Sequence, residues 1–371
     1  MTPRRWICNF PIWYYLIEPK NSGRCAISAG DLTEQVRMRV VSGLLSGEYV
    51  PGERLPAERD FARLAGCSRI TVRRAFARLE SAGIITRSPA RGTRISSRFS
   101  GNTAPIESVG ILTTLHETFA VEFIDTLTRL LNERDILAIL VAQEQRSSLQ
   151  AATAVRLFSK GVRNLIVWGF DRRIDFSLFE KLRVLGVNLV FFDRVEPGPF
   201  ADFVGLDNHD AIEQLFRHTL ARKPRRILFV NRADLAVDAL AQRRDSCREL
   251  CRLYGIDFAE TQLPHRFSPE QARETVRSLD SGTVLFCGND EIALPLKAAA
   301  PELECCSIDG TGEAAAAGIV SIRQPMAAMA AATLDALERQ RKLGLRWNAG
   351  RKLFRGTLID PNSSTGKVLF S

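Results

Sequence analysis

The sequence predicts an α/β protein in which a small basic head precedes two larger lobes built on parallel sheets. From residue 108 onward, short apolar runs alternate with amphipathic helical segments, a pattern typical of doubly wound parallel sheets with helices on both faces. This region spans roughly 250 residues, which is long for one such sheet and suits two lobes. Positive charge is confined to the front, because residues 31–98 hold 13 lysines and arginines against 7 acidic residues.

Residues 1–30 differ from the rest of the chain. Two arginines precede an apolar run, as in a signal peptide, but Asn9 and Pro11 interrupt the run and no small-residue cleavage site follows. The run is also too short to span a membrane. We expect a poorly ordered extension, and the alternative is an export signal.

The head begins with a predicted helix. Asp31 and Glu34 form a possible capping box, and Gly47 ends the helix. Its apolar face comprises Leu32, Val36, Val40 and Leu44.

Two further helices follow across a tight turn. Pro56 suits the first helical position, and Gly66 ends a short helix whose predicted apolar stripe is Phe61, Leu64 and Ala65. Ser68 can cap the next helix. Its inward face is predicted to comprise Val72, Ala75, Phe76 and Leu79. Its outward face is predicted to comprise Arg69, Thr71, Arg73 and Arg74.

A basic hairpin completes the head. Gly83 ends the helix, a strand begins at Ile84, and the chain turns near Pro89 and Gly92 with arginines at 87, 91 and 94. A helix with an apolar back and an arginine front suits the major groove of DNA, where arginine pairs with guanine. The alternative is a solvated arginine-rich helix with no partner.

The stretch LPAERDFARLAGCSRITVRRAFARLESAGII resembles the winged helix-turn-helix of GntR-type regulators, which would occupy residues 31–97. The resemblance implies that Arg59 reaches DNA from the helix before the turn. It implies base and phosphate contacts from Ser68, Arg69, Thr71 and Arg73, and a wing tip at Arg91 and Gly92 that enters the minor groove. Cys67 and Ala90 depart from the family pattern, which usually has valine and glycine there.

Residues 98–105 are polar and contain glycine and proline, so we expect a linker. The second domain is predicted to span residues 106–360. Its predicted strands are Val109–Leu112, Ile136–Val141, Leu165–Trp168, Val187–Phe192, Phe203–Leu206, Arg226–Val230, Thr283–Cys287 and Cys305–Ile308. Its predicted helices include Phe123–Leu131, Leu149–Phe158, Ala211–Leu220, Ala239–Leu253, Gln271–Leu279 and Met326–Leu343.

Five short motifs in this domain resemble the effector-binding domain of LacI/GalR regulators, which shares its two-lobed fold with type I periplasmic sugar-binding proteins. They are FFDR (191–194), VGLDN (204–208), RRI (225–227), GNDEIA (288–293) and VSIRQP (320–325). A GntR-type head on this kind of body resembles the bacterial arabinose repressors. The resemblance therefore implies a regulator whose DNA binding responds to a small ligand, with a sugar as the expected class.

The same resemblance implies the residues of an effector site between the lobes. Arg243 matches a ligand-binding arginine, Asp290 matches an acidic residue, Asp309 and Gln324 lie where the chain returns to the cleft, and Phe119 is placed to stack on a ring. The alternatives are a capping role for Asp290, a surface position for Arg243 and a core position for Phe119. The sequence around Arg243 and Asp309 departs from the family motifs, so no particular sugar is predicted.

The expected partners are operator DNA, a small-molecule effector and a second copy of the chain, because one winged helix buries too little surface for operator-level affinity. Neither a cofactor nor a metal is expected, since the eight cysteines lack zinc-site spacing. Free buried thiols and a DNA-binding head favour the cytoplasm. An enzyme is not expected. The segment 310–315 fits a dinucleotide-binding fingerprint, but a strand near Val320 leaves no room for the required helix. An exported solute-binding protein is the alternative function.

Overall fold

The computed structural model describes residues 29–97, 104–113, 118–142, 147–264 and 266–363. The predicted N-terminal extension lies outside these ranges, apart from its last two residues. Most of the predicted linker, residues 98–103, also lies outside them.

The head contains three helices and a two-stranded hairpin, as the sequence predicts. The elements are α1 (Ala29–Ser46), α2 (Glu58–Ala65), α3 (Arg69–Ser81), β1 (Ile85–Ser88) and β2 (Gly92–Ile95). The rings of Phe61 and Phe76 meet edge to face at 5.3 Å and join α2 to α3. The predicted stripe on α2 is wrong at Leu64, which is 61% exposed, because the helix is anchored by Phe61 and Ala62 instead.

The N-terminal lobe is a six-stranded sheet in the order β13-β7-β6-β5-β3-β4, and every pairing in it is parallel. The elements in chain order are β3 (Ser108–Thr113), α4 (Thr118–Asn132), β4 (Leu137–Ala142), α5 (Ser147–Ser159), β5 (Asn164–Val167), α6 (Phe176–Val184), β6 (Asn188–Phe192) and β7 (Asp202–Leu206). Apolar clusters cover both faces of the sheet, as expected for a doubly wound fold.

The C-terminal lobe is a second six-stranded sheet, in the order β14-β12-β11-β10-β8-β9. Its elements begin with α7 (Asn208–Leu220), β8 (Arg226–Arg232), α8 (Asp238–Tyr254), β9 (Asp257–Leu263), α9 (Pro269–Val276) and β10 (Thr283–Cys287). They continue with α10 (Asp290–Ala299), β11 (Glu304–Asp309), α11 (Gly312–Ala316) and β12 (Val320–Arg323). The sheet is parallel except for β14, which pairs antiparallel with β12.

The chain crosses between the lobes three times. It passes from β7 to α7, and it returns from β12 to α12 (Met326–Leu343), which packs on the N-terminal lobe. It crosses again between β13 (Arg351–Phe354), the outer strand beside β7, and β14 (Thr357–Ile359), the outer strand beside β12. The carboxyl ends of the parallel strands, where ligands bind in open α/β sheets, meet at these crossings. The predicted two-lobed architecture is therefore confirmed.

Candidate DNA-binding face and effector cleft

The turn between α2 and α3 sets the direction of α3. Gly66 ends α2 in the left-handed conformation, with φ of 62°, and the Cys67 N–H donates to the Ala62 carbonyl at 3.0 Å. The Ser68 hydroxyl then accepts from the Thr71 N–H at 3.1 Å and caps α3. Two of the predicted DNA-contacting residues are therefore engaged within the head itself. Ser68 caps α3, and Thr71 is buried with its hydroxyl 2.8 Å from that of Ser68. Thr71 therefore does not lie on the exposed face where its position in the sequence suggested.

The exposed face of α3 is arginine-rich, as the sequence predicts. Arg69, Arg73 and Arg74 are exposed, and Arg59 on α2 is 74% exposed. Ile70 adds a large apolar side chain that is 62% exposed. The opposite face is fully buried. Cationic planar groups backed by a rigid apolar core are the chemistry that reads base edges in the major groove.

One acidic residue, Glu58, joins this face to the hairpin. Its carboxylate accepts from Arg73 Nε at 3.2 Å and pairs through its other oxygen with Arg87 of β1. Glu58 is the first residue of α2, so a single side chain links α2, α3 and the wing. Sequence reasoning missed it, because an acidic residue in the first turn of a helix already has an ordinary explanation in the helix dipole.

The wing is a hairpin whose tip comprises residues 89–91. Ser88 pairs with Gly92, which takes φ of 71°, and Arg91 is exposed at the tip. The chain before α2 adds a third strand-like pairing, since the Leu55 N–H donates to the Thr93 carbonyl at 2.9 Å. The wing therefore projects from a braced base with Arg91 exposed at its tip, and Gly92 is the first residue of β2.

Asp290 lies at the carboxyl edge of the C-terminal sheet, where it holds three segments together. Its carboxylate accepts from the hydroxyls of Ser307 and Ser321, the latter at 2.7 Å, and from the N–H and hydroxyl of Thr311 at 2.7 and 2.8 Å. The side chain is 2% exposed. We therefore revise the expectation of direct effector contact, because a carboxylate with four donors inside its own lobe acts as a structural tie.

Arg243 is buried, which contradicts the alternative of a surface position. Its Nε donates to Asn208 Oδ1 and its Nη1 to the Gly288 carbonyl, both at 2.7 Å. Asn208 begins α7 just after the first crossing, and Gly288 follows β10. Arg243 therefore stabilises the walls of the cleft at the strand ends.

Asp309 and Gln324 lie side by side at the ends of β11 and β12. Gln324 Nε2 donates to Asp309 Oδ1 at 2.9 Å, and Gln324 is 2% exposed. Within the described ranges, Gln324 Oε1 has no hydrogen-bond donor. Asp309 has φ of 127°, a conformation that non-glycine residues rarely adopt and that is concentrated at functional sites. A buried amide oxygen without a donor marks a place where a ligand hydroxyl can bind.

The N-terminal lobe contributes polar and aromatic groups at the matching strand ends. Asp193 and Arg194 follow β6 and are buried, and Arg194 lies over the Trp168 ring at 5.8 Å. Asp193 has φ of 62°. Phe119 lies in the first turn of α4, and its side chain is outside what the structure describes.

The two lobes touch through the start of α8. The Asp238 carboxylate pairs with Arg172 at 2.7 Å and accepts from the Glu196 N–H at 2.9 Å. The Ala239 N–H donates to the Arg194 carbonyl at 3.3 Å. These contacts join α8 of one lobe to loops that follow β5 and β6 of the other, so they close one side of the cleft.

The cysteines show no metal chemistry in the described part of the chain. No group of three or more histidine, cysteine, aspartate or glutamate side chains is placed there to hold a metal ion. Five of the six described cysteines are buried, and burial raises the pKa of the Cys306 thiol well above its usual value. The Cys287 and Cys305 sulfurs lie 3.9 Å apart.

Residues 32–95 match the model of the bacterial regulatory proteins of the gntR family. The transcriptional regulator GgaR of Escherichia coli K12 is 47% identical over 66 residues, which are 18% of this chain and 25% of GgaR. The regulator Rv1152 of Mycobacterium tuberculosis is 42% identical over 74 residues, 20% of this chain and 61% of that protein. The head is thus a GntR-type DNA-binding domain, and the matches cover only part of each relative.

The body is similar in fold to sugar-binding proteins and repressors. The trehalose repressor of Escherichia coli superposes with a TM-score of 0.57 at 17% identity, covering 68% of this chain and 100% of that one. A galactofuranose-binding protein gives a TM-score of 0.61 at 15% identity, covering 71% and 96%. A LacI family regulator of Enterococcus faecium with bound ribose gives 0.56 at 17% identity, covering 68% and 96%. The chain therefore combines a GntR-type head with a body of the LacI and periplasmic-binding fold.

Proposed function

We propose that this protein is a transcription regulator whose operator binding is controlled by a small polyhydroxylated ligand, a sugar, in the cleft between its lobes. The observation that carries the proposal is the union, in one chain, of a DNA-reading head and a two-lobed body. Neither part requires the other, but together they provide a site for a ligand and a site for DNA whose affinities can be coupled.

The DNA-binding half of the proposal is supported by the homology of residues 32–95 to GntR regulators and by the arginine face of α3. We propose that Arg69 and Arg73 read base edges, that Arg59 and the capped start of α3 hold phosphate, and that Arg91 and Gly92 enter the minor groove.

The ligand-binding half is supported by the unsatisfied amide oxygen of Gln324 and the strained Asp309 beside it. Leaving such an oxygen buried without a donor costs about 1–3 kcal/mol, which a ligand hydroxyl would recover. Arg194, which follows β6 at the opposite strand ends and lies over the buried Trp168 ring, supplies a guanidinium suited to sugar hydroxyls. We propose that these residues, together with Phe119, bind the ligand, while Arg243 and Asp290 shape the site.

We further propose a homodimer that reads two half-sites in the cytoplasm. A single winged helix contacts one short site, and a two-fold pair doubles the interface on a near-palindrome. No described helix has the length and apolarity that crossing a lipid bilayer would need. Analytical ultracentrifugation of the full chain tests the dimer directly.

In vitro selection from random duplex DNA with the full chain tests the DNA-binding proposal. We expect enrichment of a two-fold symmetric site, followed by loss of binding when Arg69 is replaced by alanine. Selection that enriches no sequence would overturn the proposal. That result would favour the alternative function, an exported solute-binding protein with residues 1–30 as its export signal. Cell fractionation then tests whether the protein is exported.

Catalysis is not part of the proposal. The one dinucleotide-like segment, 310–315, leads into α11, which has five residues before β12 begins at Val320. A helix this short cannot supply the phosphate site of a dinucleotide fold. Homologous regulators of the head support a binding function for the chain.

A further inference from the structure

The head rests directly on the N-terminal lobe, at the C-terminal ends of α5 and α6. Helix α1 contacts both of these helices, and one continuous apolar cluster runs from the head core, at Val40 and Phe76, to Phe158 and Leu182 of the lobe. The residues named in this contact all lie within the described ranges. The head is therefore joined to the lobe by direct packing as well as by the predicted linker.

Arg163, in the loop between α5 and β5, bridges the two parts. Its Nη1 donates to the Phe158 carbonyl at 2.8 Å, near the end of α5, and to the Val162 carbonyl at 3.2 Å. Its Nη2 donates to the Ala82 carbonyl at 2.7 Å. Ala82 is the C-cap of α3, the helix that carries the DNA-reading arginines. One guanidinium thus joins the ends of α3 and α5.

The physical reason for a cation at this place is the helix dipole. The last carbonyls of a helix carry partial negative charge and lack partners within the helix. Two such ends facing each other repel, and a guanidinium between them satisfies both. Arg163 also lies over the Phe158 ring at 4.4 Å, and Arg37 of α1 donates to the Ser159 carbonyl at 3.3 Å.

The backbone approaches closely at the same point. Gly161 has φ of 95°, and a Cβ added there would lie 3.4 Å from Ala82 Cα. The loop carrying Arg163 therefore runs directly against the end of α3. Since α3 has 13 residues, its arginine-bearing start lies about 20 Å from this contact.

The other end of α5 lies at the cleft. Gln150, in its first turn, donates to the Trp168 carbonyl at 2.8 Å and accepts from the Phe170 N–H at 3.0 Å. These residues follow β5 at the carboxyl edge of the sheet, where Trp168 meets Arg194. Helix α5 therefore spans about 20 Å from the cleft wall to the head.

We infer that Arg163 fixes the end of α3 to the end of α5, so that the head moves as one rigid body with the N-terminal lobe. This inference rests on the proposed function and specifies how it is regulated. Any rotation of the N-terminal lobe about the three crossings then rotates α3 with it. In a dimer, the angle between lobes sets the spacing of half-sites that the heads can reach.

The test compares Arg163→Met with Arg156→Met in the full chain. Methionine keeps the apolar stem of Arg163 and removes the guanidinium, while Arg156 is an exposed arginine of α5, in the last turn before this loop, and serves as the control. Hydrogen exchange is followed at residues 80–84 and 157–163. We expect exchange there to be about tenfold faster in Arg163→Met and unchanged in Arg156→Met. Arg163→Lys, which keeps the charge, should lie between them and substitutes for Arg163→Met if that variant does not fold.

Equal exchange in Arg163→Met and the wild type would overturn the inference, whether or not the protein binds DNA. The second measurement uses the DNA site obtained by selection, with one to four base pairs inserted between the half-sites. We expect the wild type to prefer one spacing and Arg163→Met to tolerate several. If both proteins prefer one half-site spacing equally strongly, transmission of lobe rotation through Arg163 is contradicted. Absence of any DNA binding by the wild type would instead count against the proposed function alone.

Discussion

Glu58 is an acidic residue on the face of the head that we propose binds DNA. A carboxylate close to phosphate is repelled, so its presence weakens non-specific binding. Here it holds Arg73 and Arg87 in fixed positions, and side chains fixed before binding lose less entropy on contact. In the proposed complex with DNA, Glu58 is therefore expected to favour specificity over raw affinity.

Replacing Glu58 with glutamine should separate these two effects. We expect tighter binding to random DNA, because a negative charge is lost, and about tenfold weaker discrimination of the selected site, because Arg73 is no longer held. Competition mobility-shift assays at one salt concentration measure both. Asp60→Asn is the control, since it removes the same charge from the same helix at a residue whose ion pairs, with Arg63 at 3.2 Å and Arg59 at 4.0 Å, lie within α2. Equal specificity ratios for wild type and Glu58→Gln would contradict the positioning role.

Arg69 and Arg73 carry the proposed base contacts. Replacing either with alanine should cost about 1–3 kcal/mol on the selected site, and the wild type should lose affinity steeply as salt increases. Arg78→Ala, an exposed arginine in the last turn of α3, is the control and should cost less. Binding isotherms at several salt concentrations provide the measurement. An unchanged site preference in both arginine variants would show that another surface reads the DNA.

Two residues at the C-terminal sheet edge differ in their bonding, namely Asp290, which is fully hydrogen-bonded, and Gln324, which we propose binds the ligand. Asp290 joins β11, β12 and the loop that follows β11. Gln324, by contrast, has a side-chain oxygen that accepts no hydrogen bond within the described residues. The sequence motifs around Asp290 and Gln324 do not distinguish a structural residue from a ligand-binding one. Only the hydrogen-bond geometry separates their roles.

This division predicts opposite behaviour for two substitutions. Asp290→Ala should lower the free energy of unfolding by about 2–5 kcal/mol, because it leaves several buried donors without an acceptor. Gln324→Leu should cost less, and it should abolish the rise in melting temperature that a sugar ligand gives the wild type. Urea unfolding and a thermal-shift screen with a panel of mono- and disaccharides measure the two effects. If Gln324→Leu retains the full ligand response, the cleft site is misplaced.

The elements that sequence analysis found were those with strong local periodicity. The three head helices and the central strands β5, β6, β8 and β10 are continuous apolar or amphipathic runs, and their environment is uniform. Three outer strands escaped prediction. β9 is only partly buried and mixes polar with apolar residues, while β13 and β14 have four and three residues and are defined only by their distant partners. Helix α10 was expected only as a helix that Asp290 could cap, and the structure shows that its cap is Asn289, with Asp290 as its first residue.

The candidate site was less predictable for the same physical reason. Motif positions such as Gln324 identify which strand ends meet, because parallel topology brings them together. Whether a side chain is free or already bonded depends on neighbours far along the chain, as with Asp290 and Ser321. Arg163 gave no signal at all, since a lone loop arginine acquires its role only when two helix ends converge on it.

At the scale of the whole molecule, the cleft, α5 and the head form one continuous path. Arg172 and Asp238 close one side of the cleft, Gln150 holds the start of α5 against the cleft wall, and Arg163 holds its end against the head. A ligand can shift this assembly only by its different affinity for the open and closed arrangements of the lobes. The coupling between sites is typically about 1–3 kcal/mol.

The most direct test of the account is operator affinity measured with and without a sugar that raises the melting temperature of the protein. We predict that saturating ligand changes the affinity of the wild type about 5–150-fold, in one direction. Gln324→Leu should bind the operator like the ligand-free wild type and show no change on adding the sugar. Operator affinity that stays constant in the wild type, at a ligand concentration shown by thermal shift to be saturating, would contradict the account.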